Sequence, residues 1–226
     1  MITFLSQQLA YRSYRSVLKL MNKISINRIP TEYYFGYGAN LSVERFKKNQ
    51  MMAVEIGTAV LKDYRLGFGL QTQFKGLGYA SVCESSGGQV WGRLYKIDLL
   101  SLWLLDIMEF VPFGAYKRVQ LPVECDGETI IANVYVAHNH RTDLKPSKRY
   151  LDLIIAGSKA SGFPEDYIEN LSKQAVVEKL EIDHEFTRFT KDKKRKYISK
   201  LWPVYKKHDI LREKLLEYLR NLDAKK

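Results

Sequence analysis

The spacing of apolar and polar residues changes twice along the chain, and the changes mark three regions. Within 10–24, Arg12, Arg15, Lys19 and Lys23 recur at steps of three, four and four, with Ala10, Tyr14, Val17, Met21 and Ile24 on the opposite side of a helical wheel. That period predicts an amphipathic basic helix. From Tyr33 the runs shorten to strand candidates at Tyr33–Tyr37, Ala53–Leu61, Tyr64–Leu70, Ala80–Cys83, Val90–Ile97, Tyr116–Glu124 and Thr129–Val136. Gly87–Gly88 and Asp126–Gly127 offer the positive φ angles that tight turns require, so 80–97 and 116–136 are expected to form two antiparallel hairpins. Between them Asp98 is a candidate N-cap for a helix over Leu99–Phe110, with Leu99, Leu102, Trp103 and Asp106 at helical spacing. Further helices are expected at Ser147–Ser161 and at Pro164–Lys173, separated by the Gly162-Phe163-Pro164 break. The order predicts an α+β body with a mostly antiparallel sheet. Beyond Lys173 charged residues dominate, and Leu211, Leu215, Tyr218, Leu219 and Leu222 form the stripe of a final helix that is expected to dock or pair.

At 226 residues and 46% apolar content the chain is long enough for a well-buried core, and no apolar run reaches the length of a membrane-spanning helix. The net charge of +11 invites a nucleic-acid reading, but its distribution redirects that inference. Residues 1–31 carry five basic and no acidic residues, and 191–226 carry thirteen basic and five acidic, so the stretch 32–190 is slightly acidic. The positive charge belongs to two extensions, giving a division into a basic N-terminal segment 1–31, a body 32–175 and a basic helical extension 176–226. The first segment, rich in serine and free of acids, also fits a mitochondrial transit peptide. A cytoplasmic location is expected, with the mitochondrial matrix as the alternative. Cys83 and Cys125 lie 42 residues apart in strand-like runs, which provides no disulfide framework. The histidines at 138, 140, 184 and 208 do not show metal-ligand spacing, and neither a metal nor a cofactor is expected.

Two segments carry chemistry. Tyr34-Phe35-Gly36-Tyr37-Gly38-Ala39-Asn40-Leu41 is a strand entering a glycine turn, followed by a candidate helix at Ser42–Lys48. Such a turn exposes main-chain N–H donors suited to a carboxylate or phosphate. It matches neither a dinucleotide fingerprint nor a P-loop. Glu109 ends the helix among Met108, Phe110, Val111, Pro112 and Phe113. Desolvation by such neighbours raises a carboxyl pKa towards the range of a general base.

Taken together, Tyr37-Gly38-Ala39-Asn40-Leu41, Val90-Trp91-Gly92, Leu105-Asp106 with Glu109, Gly114-Ala115-Tyr116, Pro146-Ser147 with Tyr150, Gly157, Gly162-Phe163-Pro164, Tyr167 and Leu171 resemble the gamma-glutamylcyclotransferase family in order and spacing, over about residues 33–172. Ala39 stands where the family motif usually has serine, and Asn40 makes the turn more similar to the branch acting on gamma-glutamyl amino acids or amines. The resemblance implies a small, mixed, closed β-barrel flanked by helices, with a cavity at one end. It implies a turn at Tyr37, Gly38, Ala39, Asn40 and Leu41 that binds the glutamyl moiety through main-chain groups, Glu109 as acid/base, and Tyr150 beside the product. Tyr34, Tyr116 and Phe113 are further candidates for pocket walls.

The implied reaction is cyclisation of a small-molecule gamma-glutamyl substrate to 5-oxoproline with release of an amine. A different class of function is a binding protein on this scaffold whose basic tail holds RNA or an anionic membrane, since Lys191–Lys196 lies among Phe186, Phe189, Tyr197 and Trp202. The C-terminal leucine stripe is also compatible with a homodimer.

Overall fold

The structure is a computed structural model that describes residues 30–48, 51–111 and 114–185. The basic helix expected at 10–24, Pro112, Phe113, the run Lys191–Lys196 and the final leucine stripe lie outside the described residues. Five strands form a closed barrel: β1 (Thr31–Gly36), β2 (Ala53–Gln71), β3 (Gly78–Asp98), β4 (Tyr116–Cys125) and β5 (Glu128–Ala137), in the order β1-β3-β2-β4-β5. Four of the five pairings are antiparallel or antiparallel hairpins, and the closing one, Tyr34 against Asn133, is parallel, so the barrel is mixed. The helices are α1 (Val43–Lys48), α2 (Leu99–Met108), α3 (Lys148–Ala160) and α4 (Glu165–Ser172).

Two long strands replace four of the expected short ones. β2 has 19 residues and β3 has 21, and 80–97 is one strand with no chain reversal at Gly87–Gly88. A straight strand of that length would run roughly 60 Å, so it must bend to wrap a small barrel. The bend is a bulge: between the pairs Lys62–Gln89 and Tyr64–Glu84, four residues of β3 face the single residue Asp63. Gly87 takes φ +71° there and its N–H donates to Asp63 Oδ1 at 2.9 Å. A Cβ on Gly88 would lie 2.6 Å from the Tyr64 carbonyl oxygen. The glycine pair therefore marks a corner of the barrel, and the β2–β3 reversal occurs at 72–77, where Thr72 N–H donates to Leu77 O at 3.0 Å. The 116–136 hairpin forms as expected, with Asp126 at φ +50° and Gly127 at φ +82° as its two turn residues.

Adjacent residues of β1 point to opposite faces and into different cores. Phe35 joins Leu61, Val82, Val90, Leu94 and Val134 in one cluster, sealed by Leu151 and Ile154 of α3 and Ile168 and Leu171 of α4. Tyr34 joins Phe46, Tyr95, Ile97, Leu102, Leu105 and Tyr135 in the other, under α2. The end of β1 thus runs between both cores, beside the C-terminal end of α2.

Candidate active site

α2 delivers Glu109. Asp98 caps the helix, accepting the Ser101 N–H at 3.0 Å, as its position before Leu99 predicts. The helix stops at Met108, two residues earlier than the hydrophobic pattern predicts, because Phe110 turns to φ +55° and cannot continue it. Glu109 still donates its N–H to Leu105 O at 2.8 Å, so its backbone is held by the last helical turn. One turn earlier, Asp106 accepts the Tyr135 hydroxyl at 2.8 Å and pairs with Arg118 Nε at 2.9 Å, which fixes the helix to β4 and β5. The Tyr37 hydroxyl in turn donates to the Tyr135 carbonyl, so one residue of β5 holds both α2 and the turn after β1.

The turn itself is a single 3-10 turn over Ala39–Leu41, closed by Leu41 N–H on Gly38 O at 3.1 Å. The N–H groups of Ala39 and Asn40 have no partner inside such a turn and are the donors it can offer. Gly38 allows a close approach: a Cβ there would stand 3.2 Å from the Ala80 Cβ and 3.3 Å from the Tyr150 hydroxyl. Tyr150 occupies the first turn of α3, beneath the Ser147 cap, and its hydroxyl accepts the Ala80 N–H at 3.4 Å.

Asn40 joins the two halves. Its side-chain Nδ2 donates to Glu109 Oε1 at 3.2 Å and to the Tyr34 hydroxyl at 2.8 Å, while its carbonyl accepts the Tyr95 hydroxyl at 3.0 Å. The Glu109 carboxyl is enclosed enough that burial pushes its pKa up, against the opposing pull of Arg45 and the Asn40 hydrogen bond. Glu109 nevertheless keeps partial solvent access. The candidate recess is the space around this carboxyl and the main-chain donors of the turn. Tyr34, Tyr37, Tyr116 and Tyr150 all feel the Glu109 charge, and burial holds each hydroxyl protonated. Neutral O–H dipoles therefore surround a single carboxylate.

The structure brings Glu109, Tyr37, Gly38, Asn40 and Tyr150 together around this recess. The Leu41 side chain does not belong to it; it is 2% exposed, packs in the barrel core, and would meet a Cβ on Gly157 at 2.8 Å. Tyr116 donates to Ala80 O at 2.6 Å, and Tyr34 stacks on Tyr95 with ring centroids 6.1 Å apart. Both are core residues that also face the site. The reading of the sequence missed Arg45 and the side chain of Asn40. The signal for Arg45 was its place in the short helix directly after the glycine turn, where it shares the neighbourhood of the turn's donors.

Arg45 favours the ionised form of Glu109. Its removal raises the pKa of that carboxyl further, so Arg45→Gln is expected to move the acid limb of a pH–rate profile to higher pH. Arg45 is exposed, and the displacement should be larger at low ionic strength than at high. A limb that does not move in dilute buffer would show that the Arg45 charge does not govern Glu109.

Residues 89–171 match a family model described as AIG2-like family. Gamma-glutamylcyclotransferase of Mus musculus is 32% identical over 147 residues, covering 62% of this chain and 77% of that protein. The chain belongs to the gamma-glutamylcyclotransferase family. The Homo sapiens gamma-glutamylcyclotransferase is 33% identical over 145 residues, covering 61% of this chain and 76% of its own length. A solved gamma-glutamyl cyclotransferase structure superposes with a TM-score of 0.61 at 27% identity, covering 72% of this chain and 99% of that one. The family's fold is the mixed barrel described above.

Proposed function

We propose that this protein cyclises gamma-glutamyl compounds to 5-oxoproline and releases the free amine, with Glu109 as the acid/base. The observation that carries the reading is the hydrogen bond from Asn40 to Glu109, which places a desolvated carboxyl against a turn of main-chain donors. The relatives named gamma-glutamylcyclotransferase support the reaction class.

The chemistry needs little else, because the substrate carries its own nucleophile. Its α-amine can fold back on the γ-carbonyl carbon to form a five-membered lactam. At neutral pH that amine is an ammonium ion. Glu109, as carboxylate, accepts a proton from it, the nitrogen bonds to the γ-carbon, and the bond from that carbon to the leaving nitrogen breaks. Between ammonium and ring N–H the attacking nitrogen loses two protons, and the leaving nitrogen gains two. Glu109 relays them and ends as it began. A positioned acid/base contributes about 10²–10⁴-fold, and holding the chain curled adds the entropic share. The Ala39 and Asn40 N–H groups suit either the α-carboxylate or the oxygen that becomes negative.

The direct test is incubation of the full chain with gamma-glutamyl-alanine. Equimolar 5-oxoproline and alanine are the expected products, and glutamate in place of 5-oxoproline would mean hydrolysis and overturn the reading.

A further inference from the structure

Tyr79 is an exposed aromatic that touches Tyr150 of the candidate site. It is 47% exposed, although Gly78 and Ala80 on either side of it are buried. Exposure alone argues nothing, since solitary apolar residues are common at surfaces. The placement does. The Tyr79 ring meets Tyr150 edge-on, with centroids 5.2 Å apart at 75°. The hydroxyl of that same Tyr150 lies against Gly38 and accepts the Ala80 N–H. Solvent, Tyr79, Tyr150 and the Gly38 turn are therefore contiguous.

The backbone that carries Tyr79 is clamped. Tyr79 pairs with Leu70 across the β2–β3 ladder, and Gly78 N–H donates to Lys145 O at 2.9 Å. The reversal just before it is held from outside by the segment following α4: Lys75 N–H donates to Glu181 O at 2.8 Å, and Asp183 N–H donates to Gln73 O at 2.8 Å. Gln71 Nε2 adds a bond to Asp183 Oδ2 at 3.2 Å. An aromatic ring on a fixed backbone loses little further freedom when something packs on it.

We infer that Tyr79 determines specificity for the leaving group, its ring packing against an apolar or aromatic side chain of the departing amino acid. The inference rests on the function proposed above. With the glutamyl end held between Glu109 and the Gly38 turn, the leaving group extends towards the solvent side, where Tyr79 stands. A leaving group with only a methyl side chain reaches the ring poorly, and one with a benzyl side chain can make an aromatic pair.

The experiment measures kcat and KM for gamma-glutamyl-phenylalanine and gamma-glutamyl-alanine with the wild type, Tyr79→Ala and Tyr79→Phe. In Tyr79→Ala the preference for the phenylalanine compound, as a ratio of kcat/KM values, is expected to fall about three- to tenfold, chiefly through KM, the scale of one aromatic contact. Tyr79→Phe is expected to keep the wild-type ratio. A ratio in Tyr79→Ala within about twofold of the wild type overturns the proposal, because the ring then contributes less than one aromatic contact. Equal losses on both compounds overturn it too, since they would assign the ring to the shape of the site. If the wild type forms 5-oxoproline from neither compound, it is the proposed function that fails, and this inference falls with it.

Discussion

Glu109→Gln is expected to lower kcat by about 10²–10⁴-fold, the contribution of a positioned acid/base, and to leave the protein at least as stable as the wild type near neutral pH. The two halves of this expectation come from one cause. Burial raises the pKa of Glu109, so the folded chain holds that proton more tightly than the unfolded chain does. Ionising the carboxyl therefore costs stability. The cost is absent below the unfolded carboxyl's value of about 4.3, grows as pH rises through the raised folded value, and is complete above it. Glutamine carries no charge at any pH, and its Oε1 can accept the same Asn40 hydrogen bond. The difference in Tm between variant and wild type should accordingly shift in favour of glutamine as the pH is raised from about 3.5 to about 8. Thermal melts across that range, alongside 5-oxoproline release, check both halves. Retained turnover would remove Glu109 from the chemistry, and a difference in Tm moving the other way would place its carboxylate in a stabilising environment.

How far the sequence discloses this site depends on the range of each interaction. Asp98 as a cap, the Asp126–Gly127 turn and the Gly162 break are local, and residue type with spacing was enough to locate them. The desolvation of Glu109 was legible because its apolar neighbours are adjacent in the chain, while its role as acid/base came from the family resemblance. Its partner was not: Asn40 lies 69 residues away, and no periodicity reports a contact of that separation. The glycines of the turn point to main-chain donors and carry no information on the partners of the asparagine side chain. Gly87–Gly88 failed for another reason. Positive φ serves a hairpin turn and a bulge equally, and which one forms is decided by whether the flanking strand pairs with itself or with a longer neighbour. Here both flanks of β3 pair with β2.

Asn40→Leu should produce the second large effect, and it separates the bridge from the base. Asn40 is 7% exposed, and leucine approximates its shape while supplying no hydrogen bond. The Tyr34 hydroxyl, on a residue 3% exposed, loses the amide donor, and Glu109 loses the interaction that holds its pKa down. Leaving buried polar groups without a partner costs about 1–3 kcal/mol, so a clear drop in Tm is expected. The pKa of Glu109 then rises further, and the acid limb of the pH–rate profile should move to higher pH. Activity is expected to fall by about tenfold to a hundredfold even on the alkaline plateau, because the carboxyl is no longer held against the Ala39–Asn40 donors and misplacement of a reacting group is costly at that scale. This pattern differs from that of Arg45→Gln, which changes the electrostatics of Glu109 without touching its hydrogen bond. If Asn40→Leu moves the acid limb yet keeps the wild-type plateau, the bridge tunes the proton affinity of Glu109 and does not position it.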